Sequence, residues 1–83
     1  MSLQVHWLPG AGADLVAIPS LSAAETIAKA VRRYAEDGIG FVLHVPRADG
    51  PDEYRLLIPK TRTYVRVRRS PTTLYVERVI YRP

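Results

Sequence analysis

Eighty-three residues fit one domain, 1–83, and its core is thin, because a chain this short buries only roughly 60–65% of its unfolded surface. Without cysteine there is no disulfide or thiolate site to supplement that core, and His6 and His44, the only histidines, make a poor zinc set. The formal net charge of +4 is unevenly placed: Met1 to Glu53 carries four bases against seven acids, whereas Tyr54 to Pro83 carries eight bases against Glu77 alone.

Leu3 to Leu8 alternates apolar and polar residues and predicts a first strand, with Leu3, Val5 and Trp7 on one side. Pro9 to Asp14, with two glycines, predicts a turn or loop, and Leu15 to Ile18, ended by Pro19, a brief second strand, a staple onto the helix or part of a cover over the outer sheet face. Ser22 and Glu25 have capping-box spacing. Ala24, Ile27, Ala28, Val31 and Ala35 then recur with helical period, and Gly38 is placed to stop the helix in the left-handed conformation. Glu25/Lys29, Arg32/Glu36 and Arg33/Asp37 form opposite-charge pairs four apart on its solvent side.

After Gly38 the pattern is of strands: Phe41 to Val45, Tyr54 to Ile58, Thr63 to Arg68 and Leu74 to Arg82. Turns fall at Arg47 to Asp52, Pro59 to Arg62 and Ser70 to Thr72. Connections of about four to six residues favour hairpins. The expectation is an α+β fold, a single two-layer domain with one amphipathic helix packed on an antiparallel β-meander sheet of four to five strands (β-α-β-β-β-β).

Alternation assigns two sides to each strand. Phe41, Leu43, Val45, Tyr54, Leu56, Ile58, Val65, Val67, Leu74, Val76 and Ile80 are expected under the helix. The outer face then carries His44, Arg55, Leu57, Tyr64, Arg66, Arg68, Tyr75, Val79 and Tyr81, with Val42 and Glu77 on the same side. Arginine interleaved with tyrosine suits single-stranded nucleic acid: guanidinium groups replace phosphate counterions, and flat rings stack on unpaired bases. The residues predicted to bind are Arg55, Tyr64, Arg66, Arg68, Tyr75 and Tyr81. The bland reading is a solvated strand face with ordinary cross-strand tyrosines, yet Val42, Leu57 and Val79 on the same side imply that something covers it.

Three functions follow from that face. The first is a small basic module binding RNA or single-stranded nucleic acid. The second is a protein-interaction or inhibitory module for an acidic protein surface, of the sort carried on mobile elements, with a homodimer as one form of cover. The third is a metal-independent ribonuclease, in which His44 acts as general base, Glu77 as base or orienter, and Arg66 or Arg68 as phosphate clamp.

Other signals are discounted. Gly10-Ala11-Gly12 follows a strand, but a phosphate-binding turn needs a third glycine where Leu15 stands. Asp49, Asp52 and Glu53 do not have calcium-loop spacing, so no cofactor or metal is expected. The apolar runs Leu15 to Ile18 and Ile39 to Leu43 are too short to span a bilayer, and no basic segment precedes an apolar one at the N-terminus. A cytoplasmic location without a membrane partner is the corresponding expectation.

Overall fold

The computed structural model describes residues 2–83. Its elements run β1 (Gln4–Trp7), α1 (Pro9–Val16), α2 (Leu21–Asp37), β2 (Phe41–Val45), β3 (Glu53–Leu57), β4 (Tyr64–Arg69) and β5 (Thr73–Ile80). The strands form one sheet in the order β1-β5-β4-β3-β2. The last four strands make the expected antiparallel meander, while β1 returns to lie parallel to β5, pairing Val5 with Leu74 and Trp7 with Val76. The α+β class is as the sequence predicts; the sheet is mixed and has five strands.

The helix α2 forms where the period 3.6 pattern places it. Ile27, Val31 and Ala35 are its buried residues, and they join Leu56, Val65, Leu74 and Val76 in one core. Gly38 ends the helix at φ 70°, and its N–H donates to the Tyr34 carbonyl, so a side chain here would be strained. The start differs by two residues from the expected capping box. Ser20 is the N-cap, its Oγ accepting the Ala23 N–H at 3.1 Å, and Ser22 lies inside the first turn, where its carbonyl accepts from Thr26. Pro19 stops the preceding segment, and the serine immediately after it is free to adopt the extended cap conformation.

The expected loop at Pro9 to Asp14 and strand at Leu15 to Ile18 are corrected to one helix, α1, with Ile18 just beyond it. Two glycines in eight residues are poor helix formers, so local propensity argued against it. Tertiary contacts override that weakness. Pro9 opens the helix where its missing N–H costs nothing, and Ala11 is fully buried. At Gly10 a Cβ would stand 3.3 Å from the Arg78 Cδ, so the glycine lets α1 lie close against β5. Asp14 then accepts the Val79 N–H at 3.0 Å and binds the Arg78 guanidinium through both carboxylate oxygens, at 2.7 and 3.0 Å. Beyond the short strand β1, α1 therefore closes the exposed side of β5.

Register fixes the two faces of the sheet. Val42 and His44 pair with Leu56 and Tyr54, which lie on the helix side with Val65 and Val67. Phe41, Leu43 and Val45 pair with Leu57, Arg55 and Glu53 on the other side. The expected orientation of β2 is thus reversed. A bulge corrects β5 as well: Arg66 pairs with Arg78 and Val67 with Val76, leaving Glu77 as the extra residue. Past the bulge the alternation changes phase, so Val79 is buried in the core, Tyr81 packs against it, and Ile80 moves to the outer side.

Candidate functional site

Among the described residues no helix covers the centre of the sheet's outer face, where α1 reaches only Arg78 at the β5 edge, and the central strands carry the arginines and tyrosines. Arg55 on β3 lies across from Arg66 on β4, which lies across from Arg78 on β5. Like charges directly opposite one another are destabilising on a sheet, and each of these three has its own carboxylate. Arg55 Nε donates to Glu53 Oε1 at 2.8 Å, Arg78 is held by Asp14, and Arg66 Nε lies 3.6 Å from Glu77 Oε1. The last distance is too long for a hydrogen bond, so Arg66 is the most loosely held of the row.

Glu53 is only 8% exposed although it lies on the outer side, because Arg47 and Arg55 flank it. The hydrogen bond from Arg55 holds its carboxyl below the usual glutamate range, with Arg47 adding to the effect and burial opposing it. The same hydrogen bond raises the Arg55 pKa, so that guanidinium keeps its charge.

Two guanidinium–tyrosine stacks form the rest of the platform. Arg55 Cζ stands 4.5 Å from the centre of the Tyr64 ring, and Arg68 Cζ 5.2 Å from that of Tyr75. His6 on β1 meets Tyr75 edge-on at 5.8 Å. Among the described residues Arg68 has no carboxylate partner, and it is exposed. An open groove of 560 Å³ runs past this cluster, lined by Arg47, Asp52, Glu53, Arg66, Arg68 and Glu77. Toward β2 the face becomes apolar: Phe41 is 64% exposed and Leu43 42% exposed, beside half-buried Leu57 and Val45.

Five of the six residues expected to bind, Arg55, Tyr64, Arg66, Arg68 and Tyr75, thus share one face. Tyr81 does not, because the bulge at Glu77 turns it to the core side. His44 is also on the helix side, where it stacks on Tyr54 at 4.8 Å and its Nε2 is 2.7 Å from Asp52 Oδ2. That hydrogen bond keeps the Asp52 carboxyl below its ordinary range, helped by the Arg47 N–H. His44 lines a second hollow, of 440 Å³, with Tyr34, Val42, Tyr54 and Arg69. The structure places His44 and Glu77 on opposite faces of the sheet, so they do not form the acid–base pair of the ribonuclease reading.

Sequence reasoning missed Glu53, His6, Phe41, Leu43, Val45, Arg78 and Ile80 on this face. The run Phe-Val-Leu-His-Val is apolar at both parities, so alternation could not orient it. Glu53 was legible only as a partner for Arg55 two residues on, the spacing that puts both on one side of a strand.

Comparison of the chain with protein-family models, with curated proteins and with solved structures finds no match. Among the described residues no helix is long and apolar enough to cross a membrane.

Proposed function

We propose that this protein is a small binding module whose uncovered sheet face receives single-stranded RNA or another single-stranded nucleic acid. The observation that carries the reading is the pair of guanidinium–tyrosine stacks, Arg55 on Tyr64 and Arg68 on Tyr75, on adjacent strands of a face whose centre no helix covers among the described residues. Each stack offers an incoming strand a flat ring for a base and a cation for a phosphate, the two contacts that sequence-tolerant binding requires. Arg68, without a carboxylate, is the first phosphate contact. Arg66 is the second, because its 3.6 Å contact with Glu77 yields to a phosphate more easily than the bond between Arg55 and Glu53.

Fluorescence anisotropy with labelled single- and double-stranded oligonucleotides across a salt series tests this. Three to four phosphate contacts on a single strand give a log–log salt slope of about −2 to −3. Affinity should fall at least tenfold in an Arg66→Ala/Arg68→Ala variant that stays folded. Absence of binding at low salt, or binding indifferent to both arginines, contradicts the proposal.

A protein partner is the second reading, supported by the exposed Phe41 and Leu43 at the β2 side of the same face. It predicts weak, length-independent oligonucleotide binding and a salt-resistant protein complex lost in Phe41→Ser.

A further inference from the structure

The two edges of the sheet are finished differently. At one edge β1 and α1 cover β5, and Asp14 accepts the Val79 N–H that a neighbouring strand would otherwise bind. At the other edge β2 has β3 on one side and, among the described residues, no strand on the other. Exposed edges are commonly blunted by lysine, proline or inward-pointing charge. The five residues of β2, Phe-Val-Leu-His-Val, contain no lysine, arginine, carboxylate or proline. Pro46 follows immediately and limits how far the edge extends.

We propose that β2 pairs antiparallel with β2 of a second copy of this chain, about a two-fold axis at Leu43. The register places Leu43 opposite its own counterpart and Phe41 opposite Val45, so all five residues pair. The outer apolar row of one copy then continues into that of the other. On the helix side Val42 falls opposite His44. The pairing joins the two five-stranded sheets into one and gives the exposed Phe41 and Leu43 side chains an apolar neighbour.

Charge placement favours a second copy over an unrelated strand. At the Phe41 end of β2, Lys29 and Arg33 of α2 line a hollow with Ile39 and Phe41. At the Val45 end the turn to β3 bears two exposed carboxylates, Asp49 and Asp52, the latter bonded to His44; Glu53 there is buried and paired with Arg47 and Arg55. Asp49 is 85% exposed, and its nearest cation, Arg47, is 3.9 Å away. A two-fold axis at Leu43 brings the basic end of each copy to the acidic end of the other. A parallel arrangement would set like ends together.

Sedimentation equilibrium of the full chain over a wide concentration range, with two variants, tests the pairing. The wild-type protein should approach twice the 9.3 kDa chain mass as concentration rises. Leu43→Lys and Leu43→Glu, each of which sets like charges against each other on the axis, should remain at the chain mass with unchanged circular dichroism. An equimolar mixture of the two should regain the doubled mass, because lysine then faces glutamate. Wild-type protein that stays monomeric, a Leu43→Lys protein that still dimerises, or a mixture that does not recover overturns the proposal.

Discussion

The sheet has two unlike faces, and β4 contributes to both with alternate residues. Val65 and Val67 point to the helices and are buried, whereas Tyr64, Arg66 and Arg68 point away from them. On the covered side the contacts are aliphatic, and each atom removed leaves a void that a thin core cannot refill. On the uncovered side the contacts are ion pairs and guanidinium–ring stacks, which remain partly solvated and contribute little to stability. The comparison teaches that neighbouring positions of one strand separate folding from binding: even a one-residue change of phase, as at Glu77, moves a side chain from one role to the other.

The largest expected effect lies on the covered face. Leu56 is 1% exposed and belongs to the same buried core as Ile27, Val31 and Ala35 of α2, so Leu56→Ala should lower unfolding stability by about 2–5 kcal/mol, read from urea denaturation. Arg68→Ala, on the other face of the neighbouring strand, should stay within about 0.5 kcal/mol of wild type. Similar losses for the two substitutions would break the distinction between the faces.

Asp14 sits between these extremes, because its carboxylate joins α1 to the edge of β5. Asp14→Ala should cost about 1–2 kcal/mol, since it removes the bonds to Arg78 and leaves the Val79 N–H unpaired. The hydrogen bond from Arg78 holds the Asp14 carboxyl below its ordinary value, with the Val79 N–H adding to it and burial opposing. A carboxyl with a lowered folded pKa stabilises the protein fully above its unfolded pKa. That contribution fades as pH falls through the unfolded and then the lowered folded value. The acid limb of a stability–pH curve should therefore flatten in Asp14→Asn and flatten further when Glu53→Gln is added.

A smaller effect separates the two serines at the start of α2. Ser20→Ala removes the cap and should cost about 1 kcal/mol, whereas Ser22→Ala should change stability by no more than a few tenths. Thermal melts of the two variants decide whether Ser20 or the Ser22–Glu25 pair closes the helix.

Much of the fold was legible because period and punctuation agreed. The α2 stripe with its terminal Gly38 and the existence of the turn-separated strands after it could each be read from the pattern. What was not legible depended on contacts distant in sequence. α1 exists because Gly10 and Asp14 meet Arg78, some 64 residues beyond Asp14, and nothing local to Pro9–Val16 announces that. The phase of β2 was hidden by apolar residues at both parities, and that of Val79 and Tyr81 by a bulge whose cause is cross-strand register. The arginines and tyrosines on β3, β4 and the first half of β5 were placed correctly because each of those segments alternates without interruption. Of their carboxylate partners, Glu77 was placed on that face as well, although not as a bulged residue, whereas Glu53 was not, since it sat outside the strand expected for it.

The five tyrosines test the central claim most directly, since Tyr64 and Tyr75 lie on the uncovered face while Tyr34, Tyr54 and Tyr81 do not. Their ring resonances can be followed by NMR as a single-stranded RNA oligonucleotide is titrated in. The account predicts that the Tyr64 and Tyr75 signals shift together and saturate, while the other three stay in place. Shifts confined to Tyr34 and Tyr54, beside His44, or no shift in any tyrosine, would contradict it.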